Sequence, residues 1–105
     1  DGNQGRDFTY IDDTIDLITK IILSKKYFRS LNIGSGNDTN INKIIEILGN
    51  YFKNLNYKHV RGRPNEVNTF IADNTLIKKE FGFTATVSIE DGIKKVIEHY
   101  KKMNV

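Results

Sequence analysis

Apolar positions along the chain change period several times, and each change marks an element. Asp7-Phe8-Thr9-Tyr10-Ile11 alternates polar and apolar, the period of a short half-buried strand. Asp12-Asp13-Thr14 supplies side-chain oxygens for the start of a helix, whose apolar face carries Ile15, Leu17, Ile18, Ile21 and Ile22. Lys25 and Lys26 complement the negative end of that helix. Ser30 to Ile33 reads as a second strand, ended by Gly34-Ser35-Gly36-Asn37-Asp38. From Ile41 the spacing of Ile41, Ile44, Ile45, Leu48 and Phe52 predicts a helix with one buried face, capped by Thr39 or Asn40. Residues 57–60 and 67–72 read as strands on either side of Arg61-Gly62-Arg63-Pro64-Asn65-Glu66. Asp73-Asn74-Thr75 opens a short helix ending at Gly82, and Ser88-Ile89-Glu90-Asp91 has the form of a capping box. A last helix follows with Ile89, Ile93, Val96, Ile97 and Tyr100 on one stripe. The order β-α-β-α-β-β-α-α predicts an α/β fold, α+β if these residues stand alone.

Composition narrows the function classes. With 105 residues the chain fits one domain and is too short for a complete dinucleotide-binding enzyme with its two βαβαβ halves. Sixteen basic against thirteen acidic residues leave +3, and the stretch Tyr57 to Arg63 is too short a basic patch to indicate nucleic acid. There is no cysteine, and no apolar run approaches the roughly 20 residues of a membrane span. A cytoplasmic location is expected. The chain begins without methionine and in a polar turn, which suggests a piece of a longer protein.

The candidate chemistry is sparse. Gly34-x-Gly36 lies between a strand and a helix, as a phosphate cradle does, but the third glycine of G-x-G-x-x-G is missing and a tight turn accounts for the pair. Arg6, Arg61 and Arg63 lie in two turn regions and are either solvated surface or convergent on a diphosphate, whose oxygens a guanidinium fork matches. His59 reads as strand surface and His99 as helix surface, neither within a cluster of metal ligands. Asp12-Asp13 and Glu90-Asp91 fall at helix starts, where the helix dipole explains them. No tyrosine is followed by lysine four residues on, so the Tyr-x-x-x-Lys base is absent, and no serine stands in a nucleophile elbow.

Five motifs in order do carry a resemblance. Asp1-Gly2-Asn3-Gln4-Gly5-Arg6-Asp7-Phe8-Thr9-Tyr10-Ile11-Asp12-Asp13 resembles a "DGxQxRDFxYVDD" segment, and Asn32-Ile33-Gly34-Ser35-Gly36 resembles "NIGSG". Arg63-Pro64-Asn65-Glu66-Val67 resembles "RPGEV", Ala72-Asp73 with Phe81-Gly82-Phe83 resembles "AD…LGF", and Ser88 to Ile93 resembles "SLEEGI". Together they are similar to the C-terminal third of the NAD-dependent nucleotide-sugar epimerases and dehydratases, the extended short-chain dehydrogenases, nearest the UDP-glucose 4-epimerase branch. The resemblance implies that residues 1–105 form the nucleotide-sugar-binding region, with the Rossmann domain, its NAD and the Tyr-x-x-x-Lys base lying outside this chain. It implies oxidation of a UDP-sugar at C4 by NAD, rotation of the keto-sugar and return of hydride to its other face. Arg6 and Arg63 match the arginines that clasp the diphosphate, Glu66 an acidic position that contacts the ribose, and Phe70 a position near the sugar pocket. No catalytic residue and no metal site is implied within the chain, which alone is expected to be inactive; the whole enzyme is a possible homodimer without nucleic-acid or membrane partners. A nucleotide-sugar 4,6-dehydratase, a decarboxylase and a non-catalytic nucleotide-binding module are the alternatives. Asn65 stands where glycine is usual, tolerable because asparagine enters left-handed conformations, and Ala85 where proline commonly follows "GF".

Overall fold

The computed structural model describes residues 1–27 and 30–103. Strand β1 (Gly5–Arg6) lies in the middle of a small sheet, antiparallel to β2 (Thr39–Asn40) and parallel to β3 (Thr69–Phe70). The register sets Gly5 opposite Asn40 and Thr69, and Arg6 opposite Thr39 and Phe70. The described residues also form four helices: α1 (Ile11–Ser24), α2 (Ile41–Gly49), α3 (Thr75–Phe81) and α4 (Ile89–Lys102). The α/β class predicted from the pattern is the one observed. No helix among the described residues is long and apolar enough to cross a membrane.

The strands are shorter and differently placed than the alternation predicts. The expected strand at 7–11 is replaced by β1 just before it, 67–72 shrinks to Thr69–Phe70, and 30–33 and 57–60 form no strand. A strand exists only where a neighbour completes its hydrogen-bond ladder, and these extended segments find none. Their alternation still has a purpose. Leu31 and Ile33 pack on the core while Ser30 and Asn32 face outward.

Leu17 of α1, Ile77 of α3 and Phe83 form the central cluster, with Ile21, Leu31, Ile33, Phe81 and Ala85 packed against it. Ala85, at the position where the resembling family commonly has proline, packs against this core. Asn40 caps α2 by accepting from Lys43 N–H at 2.8 Å, and Ser88 caps α4 by accepting from Asp91 N–H at 3.1 Å, as the sequence predicts. Helix α3 stops where expected, with Gly82 at φ +60° closing its end, but its first turn is held by Asp73, which accepts from Thr75 N–H and Oγ1–H.

Helix α1 corrects two expectations. It begins at Ile11, one turn early, with Tyr10 in the capping position and no side-chain cap. Asp12 and Asp13 do lie in the first turn, but Asp13 caps nothing: its carboxylate is buried and accepts from Thr86 N–H, Thr86 Oγ1–H and Val87 N–H, joining α1 to the loop before α4. Lys26 likewise leaves the end of its own helix. Its Nζ donates to the Glu80 carbonyl at 2.9 Å and pairs with the Glu80 carboxylate at 3.4 Å, complementing the negative end of α3.

Candidate functional site

Strand β1 positions the first candidate. Arg6 sits between β2 and β3, and its Nη1 donates to the carbonyls of Gly5 and Val67, both at 2.7 Å. These bonds fold one amino group of the guanidinium back onto the sheet and orient the remaining N–H edge. Arg6 lines a groove of about 280 Å³ together with Gln4, Ile41, Tyr57, His59 and Glu66. That volume lies near the lower edge of small-molecule sites, roughly 300–1,000 Å³.

Arg63, Pro64, Asn65 and Glu66 form one tight turn, closed by Glu66 N–H donating to the Arg63 carbonyl at 3.3 Å. Pro64 in the second position and Asn65 at φ +61° in the third match a type II turn, so asparagine does take the left-handed place of the usual glycine. The Glu66 carboxylate accepts from Arg63 N–H and from Gln4 Nε2, each at 3.4 Å. The turn is thereby tied to the strand that carries Arg6. Arg6 and Glu66 share the groove; Arg63 stands at the turn beside it and is not among its lining residues. Phe70 faces Arg6 across the β1–β3 pairing, is 65% exposed, and lies outside the groove lining.

The polar groups that the sequence did not single out are Gln4 and Asp7. Asp7 Oδ1 accepts from Ser35 N–H at 2.8 Å and Ser35 Oγ–H at 2.5 Å, while Oδ2 accepts from Gly36 N–H at 2.9 Å and Ala72 N–H at 3.2 Å. Burial pushes this carboxyl up, but the bonds from Ser35, Gly36 and Ala72 outweigh it and hold Asp7 below its ordinary value. Asp7 N–H also donates to the Phe70 carbonyl, so one residue pins the glycine turn, β1 and β3 together. A side chain at Gly34 would run into Ala72 and the Asp7 carboxylate, which is why glycine stands there. The glycine turn is thus a packed joint. Its Ser35 and Gly36 amides are already occupied by a carboxylate, and it does not fit the pyrophosphate of a dinucleotide.

His59 is held in place differently from the surface-strand position expected for it. Its Nε2 lies 3.0 Å from Asn42 Oδ1 and its ring meets Tyr57 edge-on, fastening the 57–59 segment to α2.

The GDP-mannose 4,6 dehydratase family pattern matches residues 1–96. The chain belongs to this family. UDP-glucuronate 4-epimerase of Thermodesulfobacterium geofontis is 36% identical over 107 residues, which cover 100% of this chain and 32% of that protein. GDP-mannose 3,5-epimerase 1 of Oryza sativa subsp. indica is 35% identical over 96 residues, 90% of this chain and 25% of that protein. The solved UDP-glucuronic acid 4-epimerase of Bacillus cereus, in complex with UDP-glucuronic acid and NAD, superposes with a TM-score of 0.85 at 30% identity, covering 98% of this chain and 34% of that one. The relatives are extended short-chain dehydrogenases, nucleotide-sugar epimerases and dehydratases. The chain spans about a quarter to a third of their length.

Proposed function

We propose that residues 1–105 are the nucleotide-sugar-binding region of a larger NAD-dependent UDP-sugar 4-epimerase. The observation that carries this reading is that Arg6 and Glu66 line one groove, Arg6 held by the Val67 carbonyl and Glu66 by Gln4. The outward N–H edge of Arg6 donates to diphosphate oxygens, and Arg63 closes on them from the turn. Glu66, held by Gln4 and the Arg63 amide, accepts a ribose hydroxyl. Phe70, beside Arg6 on β3, borders the sugar and limits its size.

NAD, when bound, accepts and returns the hydride at the sugar carbon. The glycine turn does not fit the dinucleotide, because its Ser35 and Gly36 amides serve Asp7, and the work of this chain is to bind and orient the substrate. A nucleotide-sugar 4,6-dehydratase is the second reading, favoured by the description of the matching family.

Arg6→Ala and Arg63→Ala are each expected to weaken UDP binding by about 1.5–3 kcal/mol, the scale of a charge-assisted bond. Calorimetric titration of the full-length enzyme measures this, and unchanged affinity in both variants overturns the assignment. Titrating GDP in parallel separates a uridine from a guanosine substrate.

A further inference from the structure

The groove lined by Arg6 and Glu66 is also lined by Ile41, Ile45, Tyr57 and His59, to which the function proposed above gives no task. Two aliphatic side chains, an exposed phenol ring and an imidazole offer apolar surface, an aromatic face and a polar edge, where Arg6 and Glu66 offer charge. A nucleotide divides its own chemistry in the same way, between a flat base and a charged phosphate.

The polar edge has a fixed sense. Asn42 Nδ2 donates to the Asp1 carbonyl at 3.1 Å and to Asn3 Oδ1 at 3.2 Å. A backbone carbonyl only accepts, so the amide cannot be turned round, and its Oδ1 is the atom that meets His59 Nε2 at 3.0 Å. An amide oxygen also only accepts, so Nε2 carries the hydrogen and the neutral ring keeps its lone pair at Nδ1. A Cβ at Gly2 would run into Asn42 Oδ1 and His59 Nε2, so the Gly2 backbone packs directly against this pair. The Tyr57 and His59 rings stand at 89° with centroids 5.7 Å apart, so one can stack on a flat group while the other meets its edge.

We infer that Tyr57 and His59 bind the nucleobase of the substrate and select uracil over cytosine. The inference rests on the function proposed above. Tyr57 stacks on the base, with Ile41 and Ile45 supplying apolar contact, and His59 Nδ1 accepts from uracil N3–H. Cytosine carries a lone pair at N3 instead, so two acceptors face each other and neither is satisfied.

Calorimetric titration of the full-length enzyme at about pH 8, where imidazole is neutral, tests this with UDP, CDP and inorganic pyrophosphate. UDP is expected to bind at least tenfold more tightly than CDP. His59→Phe keeps a flat ring and loses the acceptor; it is expected to bring UDP and CDP within about twofold of each other while pyrophosphate affinity stays unchanged. A merely structural role would weaken all three together. Tyr57→Ala is expected to weaken UDP and CDP alike, by about tenfold, again leaving pyrophosphate unchanged. An unaltered enzyme that does not prefer UDP to CDP overturns the inference, and so does a preference that survives His59→Phe. Either result, with pyrophosphate binding still lost in Arg6→Ala, leaves the diphosphate role of Arg6 standing. An enzyme that binds neither UDP nor pyrophosphate removes the function, and the nucleobase site with it.

Discussion

Asp13→Ala is expected to cost about 3–5 kcal/mol of folding stability, the largest effect of any single polar substitution in the chain. The carboxylate is buried and accepts from two backbone amides and one hydroxyl. The Thr86 hydroxyl can turn to water, but the Thr86 and Val87 amides cannot, and each unsatisfied donor costs about 1–3 kcal/mol. Since a domain holds only about 5–15 kcal/mol in total, the variant stands near the edge of unfolding. Urea unfolding of the wild-type and variant chains measures the difference; a loss below about 1 kcal/mol contradicts the latch. Asp13→Asn, which keeps an acceptor but loses the charge, is expected to fall between the two.

Asp7→Ala is expected to cost about 2–3 kcal/mol and to weaken UDP binding as well. The same three amides and one hydroxyl that lose their acceptor hold the glycine turn and the end of β3 against the strand carrying Arg6. Its cost is smaller than that of Asp13→Ala because Asp7 is only half-buried and water reaches part of the gap. Denaturant unfolding reads the first effect and calorimetric titration of UDP the second. Retained stability together with retained affinity would remove Asp7 from this role.

Both aspartates also set the acid limit. At Asp13 burial pushes the carboxyl up, and the bonds from Val87 and Thr86, with the Lys95 charge, more than reverse it. Asp13 and Asp7 therefore bind protons more weakly folded than unfolded. Their stabilisation is complete above about pH 4, the ordinary aspartate value, and is lost as pH falls through the lower folded values. Stability is expected to drop steeply below about pH 4, and Asp13→Asn to flatten that drop.

Local interactions were legible in the residues. The Asn40 and Ser88 caps and the Gly82 stop follow from short-range hydrogen bonds, which need nothing beyond the next turn of chain. The helical faces were legible only in part: α2 ends at Gly49, before Phe52, and buries Ile47 while Ile41 is exposed, and α4 buries Ile97 of its predicted stripe but exposes Val96 and Tyr100, because the distant segments packed against each helix choose its buried side. The turn Arg63–Glu66 was equally readable, because proline and a left-handed asparagine dictate its shape. Strand extents were not legible, since Leu31 and Ile33 alternate as a strand does but no neighbour pairs with them. Asp13 looked like a helix-start residue because its real partners, Thr86 and Val87, lie more than 70 positions away.

The amino-acid order alone determined the family, because motifs are strings of local chemistry. It also determined the helices, whose hydrogen bonds close within four residues. Only the tertiary structure decided that the glycine turn is filled by Asp7 rather than by a phosphate, that Arg6 and Glu66 line one groove, and that the isoleucines of α1 stay uncovered. Each of these depends on which distant segments meet, and a one-dimensional pattern does not encode distance in space.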